Sequence, residues 1–170
     1  MNQAYIYDSN FGKILIAEDG VGVTKISVLS EPVFSDTTSE YIHDDTTYLL
    51  IETPLLKEAS VQLKEYFEGK RTEFSIKLNP KGTEFQKKVW EALTAIPYGE
   101  TRSYIQIAKQ IGNEKASRAV GSANHNNPIP YIIPCHRVIG ANGKLVGYAY
   151  GLSMKEKLLK MEQERTNAYE

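Results

Sequence analysis

The side chains of this chain best suited to covalent chemistry meet at one place, where the only cysteine, Cys135, adjoins His136, one of three histidines. A thiolate is a soft nucleophile, and a neighbouring imidazole can draw off its proton. The pair lies in Ile132-Ile133-Pro134-Cys135-His136-Arg137-Val138-Ile139. Ile132 and Ile133 read as the end of a short buried strand that Pro134 stops, which presents the thiol at a strand end. A buried structural cysteine has the same appearance, because free Cys packs as a small hydrophobe. The residue types therefore leave a nucleophile and a core thiol both open.

Composition narrows the setting. At 170 residues, 41% hydrophobic and 24% charged, the chain has the make-up of a soluble globular protein of one or two compact units. One cysteine allows neither an internal disulfide nor a Cys-rich zinc site, and His43, His125 and His136 are too scattered to suggest a metal cluster. No metal or cofactor is expected. A lone reactive thiol suits a reducing compartment, here the cytoplasm. The start, Met1-Asn2-Gln3-Ala4-Tyr5, lacks the basic-then-apolar pattern of a leader, and no apolar run is long enough for a membrane span. The net charge of −1 hides an asymmetry. Residues 1–80 carry 7 Lys/Arg against 13 Asp/Glu, whereas residues 81–165 carry 13 against 7. A basic second half holding the cysteine points to a polyanionic partner, with ordinary solvated charge as the alternative.

The elements that must position the thiol follow from periodicity. Residues 4–8, 13–18 and 22–29 alternate apolar and polar side chains as a small antiparallel meander. Residues 30–46 read as an irregular surface loop. Thr53-Pro54 caps a helix that carries Leu55, Leu56, Ala59, Leu63, Tyr66 and Phe67 and ends at Gly69, and Phe74, Ile76 and Leu78 mark one more strand. This half looks like a βαβ-type support domain, 1–80. Asn79-Pro80-Lys81-Gly82 is the boundary, and 81–170 form the second domain. There Thr83-Glu84-Phe85-Gln86 has the capping-box pattern and opens a helix through Val89, Trp90 and Leu93. A second helix from Ser103 to Ile111 buries Tyr104, Ile107, Ala108 and Ile111, and a third runs from about Glu114 to Asn124, with a Gly-containing turn between them as in a helix-turn-helix. The third is made of small residues around one arginine: Ala116, Ser117, Arg118, Ala119, Val120, Gly121, Ser122, Ala123. Small residues let a helix backbone approach a groove closely, or pack tightly on a neighbour; both remain open. Asn126-Asn127-Pro128 is a turn. Asn142-Gly143 reads as a type I′ hairpin with residues 145–148 as the returning strand, and Ser153-Met154-Lys155-Glu156 as the capping box of the last helix. Glu162, a turn beyond Leu158, would need a partner if buried, and His136 is available.

Thr83 to Trp90, Ile96-Pro97-Tyr98-Gly99-Glu100-Thr101, Ser103-Tyr104, Ala116 to Gly121, Asn127-Pro128, Pro134-Cys135-His136-Arg137-Val138, Gly147-Tyr148 and Leu158-Leu159 to Glu162 occur in the order seen in the O6-alkylguanine-DNA alkyltransferases. The chain resembles that family over residues 82–164. The resemblance implies a two-domain α/β (α+β) fold: an N-terminal ribonuclease-H-like antiparallel sheet with a helix, and a mainly helical C-terminal domain with a helix-turn-helix. It implies DNA repair by direct reversal, with irreversible SN2 transfer of a methyl or small alkyl group from guanine O6, and secondarily thymine O4, to Cys135. His136 would take the thiol proton through a water, Glu162 would orient His136, and Tyr104 would assist the leaving base. Double-stranded DNA would be bound through its minor groove by a monomer, with Arg118, Ala116, Ser117, Ala119, Gly121, Ser122 and Arg137 at the interface and Arg118 filling the space left by the flipped nucleotide. Asn127, Pro130, Val138, Tyr148, Ala149 and Tyr150 would line the base pocket. Ala149 stands where Ser is common and Tyr150 where glycine is usual, so Tyr150 is expected to narrow the pocket toward methyl. The zinc sites of some relatives do not carry over. The rival readings are a lesion binder without transfer, a cysteine hydrolase and a sequence-reading helix-turn-helix factor. Methylation of Cys135, ester turnover and sequence-selective affinity distinguish them.

Overall fold

The structure, a computed structural model, describes residues 2–30, 39–143 and 151–168. The chain divides into two compact units, Met1–Lys81 and Gly82–Glu170. No helix among the described residues is long and apolar enough to cross a membrane.

The first unit is a five-stranded sheet in the order β3-β2-β1-β5-β4, made of β1 Asn2–Ser9, β2 Gly12–Glu18, β3 Val23–Leu29, β4 Glu40–His43 and β5 Thr46–Leu50. The expected meander β1-β2-β3 is antiparallel, whereas β5 joins β1 in parallel. Alternation puts Ala4, Leu15, Ala17 and Tyr48 into one core face. The amphipathic helix α1 Pro54–Phe67 packs on β1 and β2, its start fixed by Thr53, whose hydroxyl accepts from the Leu56 amide at 3.2 Å.

Two expectations fail here. Residues 40–46 are not a loop but most of a hairpin, turned by Asp44 (φ 49°) and Asp45 (φ 61°), with Lys25 holding Asp44 at 2.9 Å. Short polar side chains tolerate the left-handed region, so Asp-Asp does here what Asn-Gly does elsewhere. Phe74-Ile76-Leu78 forms no ladder and meets β3 at a single bridge, Val23 with Leu78. The segment passes tightly over Gly22, where a Cβ would lie 2.9 Å from the Leu78 carbonyl carbon.

The second unit holds α2 Glu84–Thr94, β6 Arg102–Ser103, α3 Tyr104–Gln110, α4 Ser117–His125, a 3-10 turn Cys135–Arg137, β7 Val138–Ile139 and α5 Leu152–Ala168. Both reciprocal bonds of the Thr83/Gln86 capping box are present, and Ser103 with Gln106 makes a second box. Its core includes Val89, Trp90, Leu93, Ile107, Val120, Ile129, Ile133, Val138 and Leu158. Trp90 donates its indole N–H to the Ala123 carbonyl at 2.8 Å, pinning α4 to α2. The third helix starts later than Glu114, because the Ala116 amide closes a turn on Asn113. Tyr104 and Ile111 are only half-buried. The turn after the cysteine is not type I′: Gly143 donates to Gly140 and is the one residue of that turn with positive φ, 80°. Lys144 to Tyr150 lie outside the described residues, and with them the returning strand. The last helix begins at Leu152, so Ser153 sits inside its first turn rather than at its cap.

Candidate active site

Residues 129–133 are not the buried strand expected ahead of the cysteine. Pro128, Pro130 and Pro134 deny the segment a ladder, and it folds as turns: Ile132 donates to Pro130 O, Ile133 to Ile129 O, and Tyr131 takes φ 72°. Asn127 ties this knot. Its Nδ2 donates to Ile133 O at 2.8 Å and its Oδ1 accepts from the Ile129 amide at 3.0 Å. Cys135 therefore leaves a cross-braced loop and opens the 3-10 turn, 3% exposed.

The cysteine is buried yet reachable by charge. Burial pushes its thiol up to about 11, while the Asn127 side chain, the Lys155 ammonium and the amides of Cys135 and His136 all pull the other way. Lys155 is a second buried titratable group and has no place among the expected site residues. It is fully buried on α5 and donates to Val138 O, and burial brings its amine down to about 8 against the pull of the Cys135 charge. Its signal in the sequence was spacing: Lys155, Leu158 and Glu162 fall at i, i+3 and i+7, one face of a helix.

Glu162 is the centre of the ionic cluster. It is 0% exposed, as is His136. Its Oε2 receives His136 Nε2 at 2.6 Å and Arg137 Nη2 at 3.2 Å, and its Oε1 receives Arg137 Nε at 2.8 Å and the Gly99 amide at 3.2 Å. Gly99 has φ 81°, and a Cβ there would come within 2.3 Å of Thr166 Oγ1, so the amide reaches the carboxylate only because the residue is glycine. Burial alone would raise the carboxyl, but the His136 and Arg137 hydrogen bonds outweigh it and hold Glu162 down to about 2. Burial lowers His136, with Arg137 and Lys155 acting in the same direction and Glu162 opposing. A neutral imidazole that gives its Nε2 hydrogen to Glu162 carries its lone pair on Nδ1, where a proton can be accepted.

Arg137 corrects an expectation. Its place is not at a DNA surface. It is 6% exposed, chelates Glu162, donates Nη1 to Ile96 O at 2.7 Å and lies 5.6 Å from the Tyr98 ring centre. The sequence gives an arginine beside a reactive pair, and only the fold reveals that α5 brings a carboxylate beneath it.

Glu162→Gln should therefore cost about 3 kcal/mol or more in urea unfolding, because it leaves a buried guanidinium without its counter-charge. The folded-state value lies below the ordinary 4.5, so this stabilisation is complete above that range and fades as pH falls toward 2. The variant should lack that acid-dependent part of the unfolding curve.

The remaining expected residues assemble around α3 and α4. Tyr104, Ile105, Ser117, Arg118, Gly121, His125 and Ala141 line an open cleft of about 420 Å³. Arg118, Ala119 and Ser122 are exposed, and Ala116, Ser117 and Gly121 half-buried. Gly121 faces the Tyr104 ring, where a Cβ would sit at ordinary contact distance, 3.8 Å. Burial raises the Tyr104 hydroxyl, the charge of Cys135 adds to the rise, and an Asn124 hydrogen bond opposes it. Tyr104 thus joins the cleft to the thiol. Val138 and Asn127 are buried beside the cysteine, and Pro130 is buried in the turn, outside the cleft lining. Tyr148, Ala149 and Tyr150 lie outside the described residues.

Residues 84–164 match the family model "6-O-methylguanine DNA methyltransferase, DNA binding domain", and residues 4–80 match that of its ribonuclease-like domain. A methylated-DNA–protein-cysteine methyltransferase of Methanosarcina acetivorans is 51% identical over 157 residues, covering 92% of this chain and 96% of that protein. The constitutive Bacillus subtilis protein of the same name is 46% identical, covering 88% and 87%. Among solved structures, Mycobacterium tuberculosis OGT in complex with DNA superposes with a TM-score of 0.82 at 44% identity, covering 96% of this chain and 94% of that one.

Proposed function

The chain belongs to the 6-O-methylguanine DNA methyltransferase family, and from that premise we propose that Cys135 is its single-use methyl acceptor. Its activity is direct-reversal repair of O6-methylguanine in DNA by methyl transfer to a protein cysteine. The observation that carries the assignment of the acceptor is a count: the relatives are named for transfer to cysteine, and this chain has one.

The site then works as follows. His136 Nδ1 takes the Cys135 proton through an intervening water, and Glu162, already bonded to Nε2, stabilises the imidazolium that results. Lys155 and the Asn127 amide steady the thiolate as it forms. The sulfur attacks the methyl carbon in line. The S–C bond forms as the C–O bond breaks, and the electron pair leaves on guanine O6 with Tyr104 at hand as proton donor. The product thioether is too poor a leaving group to hydrolyse, so each molecule acts once.

The methyl group cannot meet a buried thiol from inside a base stack, so the nucleotide must leave the duplex. The small-residue face of α4 suits close approach to the minor groove, with Arg118 projecting from it, and the lesion rather than the sequence is selected through backbone contacts. We assign the working form as a monomer in the cytoplasm, where the thiol stays reduced. Methyl and small alkyl groups on guanine O6 are the substrates, with thymine O4 secondary. The experiment is direct: incubation with O6-methylguanine duplex should add one methyl group to the tryptic peptide holding Cys135, with one equivalent as the ceiling. An unmodified peptide under reducing conditions, or turnover beyond one equivalent, rejects the assignment.

A further inference from the structure

We propose that Arg137 is a positioning residue for this reaction: by sharing the Glu162 carboxylate with His136, it keeps the imidazole uncharged and ready to accept the thiol proton at neutral pH. The inference rests on the acceptor role of Cys135 given above, and it concerns how the base is kept unprotonated.

The geometry sets up a competition for one carboxylate. A buried Glu–His pair standing alone would favour the imidazolium, since an opposite charge within hydrogen-bond distance stabilises the charged form. An imidazolium whose Nδ1 already carries a proton cannot take another from the thiol. In this cluster the guanidinium occupies both carboxylate oxygens, at 2.8 Å and 3.2 Å, while His136 uses one of them at 2.6 Å. Arg137 is itself fixed by Ile96 O and the Tyr98 ring, so it does not swing away when His136 changes state. A guanidinium is permanently charged at any working pH, which makes the neutralisation of Glu162 constant. Among the described residues, the charged groups that act on His136 include Glu162 and Lys155 from α5 and Arg137 from its own turn; Tyr98, from the α2–β6 connection, faces Glu162, Arg165 and Arg137. Of these, Glu162 alone favours the imidazolium, and Arg137 is the cation bound directly to it. Burial and both cations hold His136 below its ordinary value, in agreement.

The test is the single-turnover rate of methyl transfer from O6-methylguanine duplex to Cys135, measured across pH for the parent, Arg137→Gln and Arg137→Lys. In Arg137→Gln the acid limb of the profile should move up by about one unit or more, so that transfer is about tenfold slower along that limb and approaches the parent rate in alkali. Arg137→Lys, which keeps the charge without the fork, should shift less in the same direction. A rate reduced equally at all pH values, or an unmoved acid limb, overturns the proposal. Imidazole nitrogen shifts of His136 in the parent protein supply a readout independent of activity and of the variants' folding. An uncharged ring at neutral pH is expected, and an imidazolium there overturns the proposal. If the parent fails to transfer methyl at all, the acceptor assignment falls, while the imidazole titration still decides this inference.

Discussion

Cys135→Ser should abolish methyl transfer, by about 10⁴-fold or more in rate, while leaving affinity for O6-methylguanine duplex within about twofold of the parent. The reason is electronic. The attacking atom must give up a proton and then displace an alkoxide-like leaving group from carbon. Sulfur does this as a polarizable thiolate, and a serine hydroxyl, far less acidic and harder, does not. The buried site sharpens the contrast. Burial lifts the thiol to about 11 even with Asn127, Lys155 and two backbone amides pulling the other way. An alcohol in the same place begins several units higher with the same helpers. On the proposed reading DNA affinity is set elsewhere, on the face of α4 that carries the exposed Arg118, Ala119 and Ser122, and the substitution removes no atom from it. Measured transfer by the serine variant within about 100-fold of the parent would reject Cys135 as acceptor. Lost DNA affinity would mean that the thiol region bears on the duplex directly.

The parts of the site legible in the sequence are those whose chemistry is local. Cys135 and His136 adjoin, and Glu162 was legible because a carboxylate beside a packed leucine demands a partner. What the sequence hid was set by topology. Arg137 reads as surface charge until α5 places Glu162 against it. Lys155 hides in a run that imitates a helix cap, and the helix in fact begins one residue before that cap. The apolar run 129–133 imitates a strand, but three prolines and the left-handed Tyr131 turn it into a braced loop. A strand would present Cys135 at a sheet end; the loop instead lets Asn127 hold the thiol's flank and the backbone at once. In the first unit the error was of turn chemistry. Asp44-Asp45 carries the hairpin without the Asn-Gly that periodicity-based reading looks for.

Arg118→Ala should slow transfer from duplex DNA by about 100-fold and leave reaction with free O6-methylguanine base within about threefold. Arg118 is the long side chain on the exposed face of α4, at the rim of the cleft it shares with Tyr104 and Gly121. Taking a nucleotide out of the stack costs a few kcal/mol of unstacking and unpairing, and a side chain inserted in its place recovers part of that. Truncating Arg118 returns the cost to the flipping step alone, which the free base never undergoes. Two outcomes separate this role from the bland one. If Arg118 merely pairs with a phosphate, its loss weakens binding to single and double strands alike and reduces the salt dependence of affinity by about one counterion. If it fills the vacated stack, the defect is large on duplex, small on single-stranded DNA, and persists at saturating DNA, where binding no longer limits the rate. An equal fall on duplex and free base would place Arg118 in the chemistry at Cys135, against its exposed position on α4.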